Sequence, residues 1–227
     1  MFLVEMFQRK TTMPTAAEAL AGRSEAIETA ASHGVSGQAL KPPFPAGHEV
    51  AYFAMGRFSR AEPLFWPLPG VHVTAAGYAG GMTPNPTYQE VLSSLTGHTE
   101  TVMVVFDPET LAYESLLKLF FERHDPTQVM RQSDDIGTFF RSAVFTTTQA
   151  QAEQAKAARD AYQAALKAAG HTGKIVTEIT PMQDFYYAEA SHQQHAQRNP
   201  AARTGLKGTG VCFPASAEGL GRFRPKA

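Results

Sequence analysis

The chain of 227 residues contains a single cysteine, Cys212. One thiol cannot form an intramolecular disulfide, and a cysteine metal cluster requires several thiolates. Any thiol chemistry therefore involves Cys212 or a second molecule. A thiol without a helix N-terminus or a neighbouring cation to stabilise its thiolate is a weak nucleophile. On this basis we expect Cys212 to be a poor catalyst by itself.

Two other patterns suggest a cofactor, and neither has the required context. His192 and His195 have the spacing of one helix face and, with Glu189, form a possible metal site. Two histidines and one carboxylate without a further cluster are more often ordinary polar residues of a helix. The glycines between residues 205 and 210 resemble a nucleotide loop, but no strand precedes them and no helix follows. We therefore predict neither a metal nor an organic cofactor.

Two arginines, Arg57 and Arg60, lie at the start of a helix predicted for residues 58–66. A cation in the first turn meets the positive end of the helix dipole, at a cost of roughly 0.3–1 kcal/mol. Arg60 is expected to point into solvent or to pair with Glu62 or Glu100. For Arg57 there are two expectations. It points into solvent or pairs with Glu62 or Glu100, or it binds an anionic ligand beside the backbone N–H groups at the start of the helix.

The elements that position these residues alternate between strand and helix. The apolar patterns predict strands at 50–55, 71–78, 99–106, 142–146 and 174–179, and helices at 58–66, 88–94, 108–123 and 148–169. This alternation predicts an α+β fold, a two-layer α/β sandwich of ferredoxin-like (split βαβ) type with helices covering a mixed sheet. We expect three parts: an N-terminal arm (1–47), one domain (48–200) and a flexible C-terminal tail (201–227).

The composition excludes several classes of partner. The formal net charge is −1, so no global field attracts nucleic acid or an anionic membrane. The apolar patch of residues 2–4 is too short for an export signal or a membrane span. We expect a cytoplasmic protein whose partner is a small molecule or a peptide, with no nucleic acid and no membrane involved.

Several segments, in the same order along the chain, resemble the A-type peptide methionine-(S)-sulfoxide reductase family. They cover residues 50 to 200 and are Phe53-Ala54-Met55-Gly56, Gly77-Tyr78-Ala79-Gly80-Gly81, Thr83-Pro84-Asn85-Pro86-Thr87-Tyr88, Thr96-Gly97-His98-Thr99-Glu100, His124-Asp125-Pro126, Arg131-Gln132, Asp135, Gly137-Thr138, Arg141-Ser142-Ala143, Tyr186-Tyr187-Ala188-Glu189 and His192-Gln193. So many ordered matches make the resemblance specific.

The resemblance implies a pocket in which a cysteine at the start of the first helix attacks the sulfoxide sulfur. It assigns Glu100 as the general acid, Tyr88 as a hydroxyl donor and Phe58 as a ring against the methyl group. Asp135 matches a polar pocket residue. A second thiol then resolves the intermediate, and thioredoxin restores the enzyme; Cys212 resembles that resolving cysteine on the tail. A carboxylic acid with a raised pKa suits proton delivery to the leaving oxygen.

The chain departs from this pattern at the residues that matter most. Arg57 occupies the place of the nucleophilic cysteine, and Arg60 the place of a glycine. Ser59 stands where the family has a tryptophan, and Phe140 where it has a tyrosine. A guanidinium group stays protonated and has no free lone pair to offer sulfur, so the ordinary reduction is blocked.

The sequence therefore predicts a pseudoenzyme that binds a sulfoxide-like or anionic ligand. The residues expected to bind it are Arg57, Phe58, Ser59, Asp135 and Phe140, together with Glu100 and Tyr88, which match catalytic residues of the family. One alternative is an enzyme of changed chemistry, in which Glu100 and Tyr88 perform acid–base catalysis on another small substrate. Another is a weak reductase that uses Cys212, with thioredoxin as partner only in that case. The simplest alternative is that Tyr88 and Glu100 only satisfy local hydrogen bonds.

Overall fold

A six-stranded sheet organises the protein, for which a computed structural model describes residues 8–203 and 206–214. The strands are β1 (Glu49–Met55), β2 (Val71–Ala79), β3 (Thr99–Phe106), β4 (Arg131–Gln132), β5 (Asp135–Ile136), β6 (Ser142–Thr146), β7 (Glu178–Pro181) and β8 (Phe185–Tyr187). The order in the main sheet is β7-β6-β1-β3-β2-β8, with β6 and β7 parallel and the other pairs antiparallel. The two remaining strands, β4 and β5, form a separate hairpin.

The sheet buries both of its faces, because successive side chains of a strand point to opposite sides. On β3, Val102 and Val104 join the larger core, whereas Met103 and Val105 join a second core on the other face. All eight residues of β3 are buried. This strand therefore lies at the centre of the domain, and Glu100 near its start is buried with it.

Helices cover the larger core. They are α1 (Phe58–Ala61), α2 (Tyr88–Leu92), α3 (Tyr113–Arg123), α4 (Gln149–Ala168) and α5 (His195–Arg198), with 3-10 turns at Glu62–Leu64, Thr138–Phe140 and Pro200–Arg203. The long helices α3 and α4 bury Leu117, Phe121 and Tyr162 against one another and the sheet. At the start of α4, the Thr148 hydroxyl accepts a hydrogen bond from the Gln151 N–H.

The N-terminal arm covers the second face. Leu40 is fully buried there beside Val73 and Met103. Farther back along the arm, His33 is within hydrogen-bonding distance of the Thr74 hydroxyl (3.0 Å), which donates to the buried carboxylate of Glu62 (2.9 Å). A hydrophobic contact and a buried polar chain therefore attach the arm to the sheet.

Part of the tail is docked on the domain. Phe213 stacks on Tyr162 with ring centroids 5.7 Å apart, and its N–H donates to Glu122 Oε1 at 2.6 Å. The Tyr162 hydroxyl donates to the Val211 carbonyl at 2.9 Å. The sequence predicted a flexible tail from residue 201, but residues 206–214 lie against α3 and α4. Residues 204–205 and 215–227 of that tail lie outside the described residues.

The predicted elements are mostly present, with corrections at their ends. The predicted helix 58–66 ends at Ala61, because Pro63 lacks the N–H that an α-helix needs and the chain continues as a 3-10 turn. The predicted strand 174–179 lies later, at Glu178–Pro181, and the helix predicted from Pro108 begins at Tyr113. Strands β4, β5 and β8 were missed because two or three residues carry no measurable periodicity.

The predicted α+β fold with a mixed sheet and helices is confirmed. The finer ferredoxin-like assignment and the limits of the three predicted parts stay predictions. Among the described residues, no helix is both long and apolar enough to cross a membrane.

Replacing Phe213 with alanine tests the docking of the tail. The Phe213→Ala variant loses the ring that stacks on Tyr162, so the amides of residues 206–214 are expected to exchange faster with solvent. Hydrogen-exchange mass spectrometry measures this segment apart from the rest of the domain. In the matched control Cys212→Ala, which alters the exposed neighbour, protection should be unchanged. Equal protection in wild-type protein and Phe213→Ala would show that this contact does not hold the tail.

Candidate functional site

The site is built around the turn that leads from β1 into α1. Gly56 adopts a φ of +91°, and a Cβ atom there would lie 2.8 Å from the side chain of Gln132. Only glycine combines this backbone conformation with so close an approach. Arg57 follows in an extended conformation, and the first turn of α1 begins at Phe58.

Glu100 is buried beneath this turn. Its Oε2 atom accepts a hydrogen bond from the Phe58 N–H at 2.8 Å. Its Oε1 atom is buried and has no hydrogen-bond partner in the described part of the chain. Burial raises the pKa of Glu100 to about 8, against the opposing effects of the Phe58 N–H and of Arg57. Glu100 is therefore a protonated acid at neutral pH, with a polar atom available to a ligand.

The two arginines share one carboxylate. Arg57 Nε and its terminal nitrogen both lie 2.8 Å from Asp135 Oδ1, and Arg60 donates to Asp135 Oδ2 at 2.5 Å. The expected pairings of Arg60 with Glu62 or Glu100, and of Arg57 with Glu100, are therefore wrong. Glu100 is neutral when protonated and already accepts the Phe58 N–H, and Glu62 is buried and bonded to Thr74 and Gln194.

Glu62 has partners of its own. Its carboxylate accepts hydrogen bonds from the Gln194 N–H (3.0 Å) and from the Gln194 side-chain amide (2.7 Å), in addition to that from Thr74. Burial raises the pKa of Glu62 to about 7, while these hydrogen bonds act in the opposite direction. Glu62 thus belongs to the structural network that fixes the 3-10 turn after α1, and it takes no part in the arginine cluster.

Aromatic rings complete the surroundings of Arg57. The guanidinium carbon lies 4.8 Å from the centre of the Phe140 ring, a distance typical of a cation–π contact. Phe58 is buried, and its ring lies 6.1 Å from that of Tyr88. Burial raises the pKa of Tyr88, so its hydroxyl keeps its proton at neutral pH. Arg57 therefore lies against the face of the Phe140 ring, and the next residue, Phe58, packs near Tyr88.

Tyr88 is positioned by contacts that the sequence did not reveal. Glu189 Oε1 accepts the Tyr88 N–H and Glu189 Oε2 accepts the Tyr78 hydroxyl, both at 2.8 Å. The His192 ring lies 4.3 Å from the Tyr88 ring and 5.5 Å from that of Phe58. Glu189 and His192 belong to a segment that carries the family resemblance, which was the available signal for them.

The N-terminal arm binds the loop that precedes Tyr88 and the helix α2 that begins at Tyr88. Arg23 donates to the Asn85 carbonyl and to Glu90 Oε1 at 2.6 Å. Glu90 also closes a capping box with Thr87 at the start of α2. The arm therefore contributes to the site through the position of α2.

The structure brings six of the predicted site residues into one cluster: Arg57, Phe58, Tyr88, Glu100, Asp135 and Phe140. Ser59, also predicted, is half-buried on α1 beside them. Cys212 is exposed, and its neighbours Val211 and Phe213 are held by Tyr162 and Glu122 on α3 and α4. The roles assigned to these residues stay predictions.

The histidine pattern does not form the helix face that its spacing suggested. His195 begins α5, whereas His192 lies in the preceding turn against Tyr88. Within residues 8–203 and 206–214, no group of three histidine, cysteine or acidic side chains is arranged to hold a metal ion.

The arrangement favours binding of an oxygen-bearing group. Glu100 and Tyr88 supply neutral donors, and the two arginines with Asp135 leave one net positive charge. No side chain of this cluster offers a thiolate, and a guanidinium is not a nucleophile. The chemistry available is hydrogen bonding, charge stabilisation and proton transfer.

The chain was compared with protein families, with characterised relatives and with solved structures, and all three comparisons agree. A family model described as peptide methionine sulfoxide reductase matches residues 49–209. The peptide methionine sulfoxide reductase MsrA of Agrobacterium fabrum is 54% identical to this chain, over 93% of this chain and 98% of the relative. The peptide methionine sulfoxide reductase MsrA 1 of Rhizobium meliloti is 53% identical, over 96% of this chain and 100% of the relative. The solved structure of methionine sulfoxide reductase A of Corynebacterium diphtheriae has a TM-score of 0.78 and 39% identity, covering 83% of this chain and 92% of that one.

The protonation of Glu100 can be observed directly. At pH 6 the infrared difference spectrum between wild-type protein and Glu100→Gln is expected to contain the C=O band of a protonated carboxyl group. This band should be replaced by carboxylate bands as the pH passes about 8. An unfolded glutamate loses its proton near pH 4.3. Folding therefore favours the protonated form of Glu100. The free energy of unfolding falls as the pH rises from about 4.3, the unfolded pKa, to about 8, the folded pKa.

The buried Glu62 provides a matched control for this measurement. The corresponding band in the difference spectrum with Glu62→Gln should disappear near pH 7. Carboxylate bands from Glu100 already present at pH 6 would contradict the assignment of a neutral acid.

Proposed function

The chain belongs to the peptide methionine sulfoxide reductase family, and we propose that it is a member that binds a ligand in the family's pocket without reducing it. The observation that carries this proposal is the hydrogen-bonded ion pair of Arg57 with Asp135 at the start of α1, where the Phe58 N–H binds Glu100. By the resemblance, Arg57 occupies the position of the cysteine that attacks sulfur. The protein is then a pseudoenzyme of this family.

The chemical reason is the electronic structure of the guanidinium group. Reduction of a sulfoxide by this route needs a lone pair on sulfur of the protein, which attacks the substrate sulfur as the oxygen leaves. Arg57 has no such lone pair, stays protonated at physiological pH, and is held by Asp135. Acid catalysis from Glu100 has no nucleophilic attack to assist.

The remaining pocket suits recognition of a polar oxygen. A protonated Glu100 donates to an acceptor oxygen, Tyr88 supplies a hydroxyl, and the Phe58 ring offers an apolar contact for a methyl group. The positive charge at Arg57 also favours an anionic group. We infer that the ligand is a peptide or small molecule that carries a sulfoxide-like or anionic group.

Two enzymatic alternatives remain distinct from this proposal. Acid–base catalysis by Glu100 and Tyr88 on another substrate is favoured by the burial that keeps Glu100 protonated. A weak reductase that uses Cys212, with thioredoxin as reductant, requires residues 206–214 to leave their contacts with Tyr162 and Glu122. The docked tail argues against this second alternative.

A nucleophile restored at position 57 tests the proposal. With peptide methionine-(S)-sulfoxide and dithiothreitol, the wild-type protein is expected to form no methionine above background. Arg57→Cys should form methionine, because the thiol then lies at the start of α1 next to the general acid Glu100. Chromatographic measurement of methionine gives the rate.

The matched control is Arg57→Ser, which removes the guanidinium but supplies no thiol and should stay inactive. Adding Ser59→Trp and Phe140→Tyr to Arg57→Cys should raise the rate further, because both restore residues of the resembled pocket. Turnover by wild-type protein that is lost in Cys212→Ala would instead establish the Cys212 alternative.

The pH dependence of binding tests the role of Glu100. A neutral blocked peptide that contains one methionine-(S)-sulfoxide is expected to bind at pH 7 and to lose affinity as the pH rises past about 8, when Glu100 loses its donor proton. Isothermal titration calorimetry between pH 6 and 9 measures this. Glu100→Gln keeps a donor and an acceptor, so it should bind with no such pH dependence. The same loss of affinity in that variant would exclude Glu100 as the donor.

A further inference from the structure

The guanidinium group of Arg57 already contacts residues that the sequence assigns to a ligand. Its Nε donates to Asp135 Oδ1 at 2.8 Å, and its central carbon lies 4.8 Å from the centre of the Phe140 ring. Burial raises the pKa of the Tyr88 hydroxyl, and Arg57 lies close enough to oppose this effect through its charge and a hydrogen bond. A ligand that uses these residues therefore competes with Arg57 for them.

The carboxyl group of Glu100 is enclosed within the same cluster. Glu100 is only 1% exposed, and its Oε1 atom is buried without a hydrogen-bond partner among the described residues. Because Oε2 accepts the Phe58 N–H, Oε1 is the atom left to bind a ligand. A ligand oxygen has to reach a buried atom, so a neighbouring side chain must move before it binds.

The aromatic rings of the cluster are poor candidates for this movement. Phe58 and Phe140 are buried, and displacing a buried ring forfeits its packing and opens a cavity. Tyr88 begins α2, and its N–H is bound by Glu189 Oε1 at 2.8 Å. Access to Glu100 through a shift of these rings is therefore costly.

The side chain of Arg57 can move at a lower cost. It is 35% exposed, so the guanidinium keeps much of its hydration when it turns outwards, and a partly exposed ion pair is weak. Asp135 also binds Arg60 through its other oxygen, Oδ2, at 2.5 Å. The Asp135 carboxylate therefore keeps a partner after Arg57 leaves, and no charge is left both buried and unpaired.

We propose that Arg57 is a gate, and that a ligand reaches Glu100 only when the guanidinium leaves Asp135 and Phe140. The inference rests on the proposed function and adds the regulation of the site to it. The contact between Arg57 and Asp135 is then autoinhibitory. It also sets specificity, because a ligand must replace the contacts that the guanidinium gives up. The apparent affinity falls in proportion to the fraction of molecules in which the gate is open.

Removal of the gate tests this inference by calorimetry. The probe is a neutral blocked peptide that contains one methionine-(S)-sulfoxide. At pH 7, Arg57→Ala is expected to bind it about tenfold more tightly than wild-type protein, as for a pocket that is open in about a tenth of the molecules. The matched control Arg60→Ala removes the other arginine on Asp135 and leaves the gate in place, so it should bind no more tightly than wild-type protein.

A second measurement needs no ligand. In heavy water at pH 6, the protonated carboxyl group of Glu100 exchanges its proton for deuterium, which shifts its infrared C=O band to lower wavenumber. The difference from Glu100→Gln identifies this band. The shift should be complete sooner in Arg57→Ala than in wild-type protein or Arg60→Ala, because water reaches Oε1 only when the gate is open.

The two measurements separate failure of the gate from failure of the proposed function. Peptide affinity in Arg57→Ala that is equal to or lower than in wild-type protein would overturn the gate and leave the proposed function intact. Peptide binding by none of the three proteins would overturn the proposed function. The exchange rates then decide on the gate alone, and equal rates in Arg57→Ala and wild-type protein would overturn it. Thermal unfolding of each variant confirms that the fold is retained.

Discussion

The carboxylate of Asp135 holds two guanidinium groups at the entrance to α1. Without it, the two neighbouring guanidinium groups of Arg57 and Arg60 would repel each other. Both Asp135 oxygens are used, one by each arginine, and the Asp135 side chain is only 13% exposed. The pairing accompanies the position of Arg57 over the Phe140 ring and holds a positive charge at the residue before α1. The positions of both guanidinium groups depend on this shared ion pair.

A second constraint is the burial of Glu100. A carboxylate in this position would be stabilised only by the Phe58 N–H and by partly exposed cations, and desolvation outweighs both. Glu100 therefore keeps its proton and does not neutralise the arginines, so the cluster carries a net positive charge beside a neutral acid. In the function that we propose, this carboxylic acid acts as a hydrogen-bond donor to the ligand.

The sequence predicted much of this arrangement, and the reasons for its failures are physical. Strand Thr99–Phe106 was predicted with its observed limits, and its apolar second part, residues 102–106, ends at an Asp-Pro pair. The first helix was predicted too long because Pro63 lies within an otherwise helical pattern. Glu100 and Asp135 were both assigned to the site by resemblance, but the pairing of Asp135 with the arginines was missed because it joins residues 75 and 78 positions apart in the chain. The support that His192 gives to Tyr88 depends on long-range packing, which no local pattern encodes.

In the proposed function, the protein recognises a sulfoxide-like group and cannot perform the first chemical step on it. Mixing the reduced protein with excess peptide methionine-(S)-sulfoxide in the absence of reductant tests that step, because a competent thiol forms one methionine and one sulfenic acid per chain. Quantification of methionine, with mass spectrometry of the protein, gives both products. We expect no methionine and an unmodified Cys212; one equivalent of methionine with oxidised Cys212 would show that the protein performs the reduction.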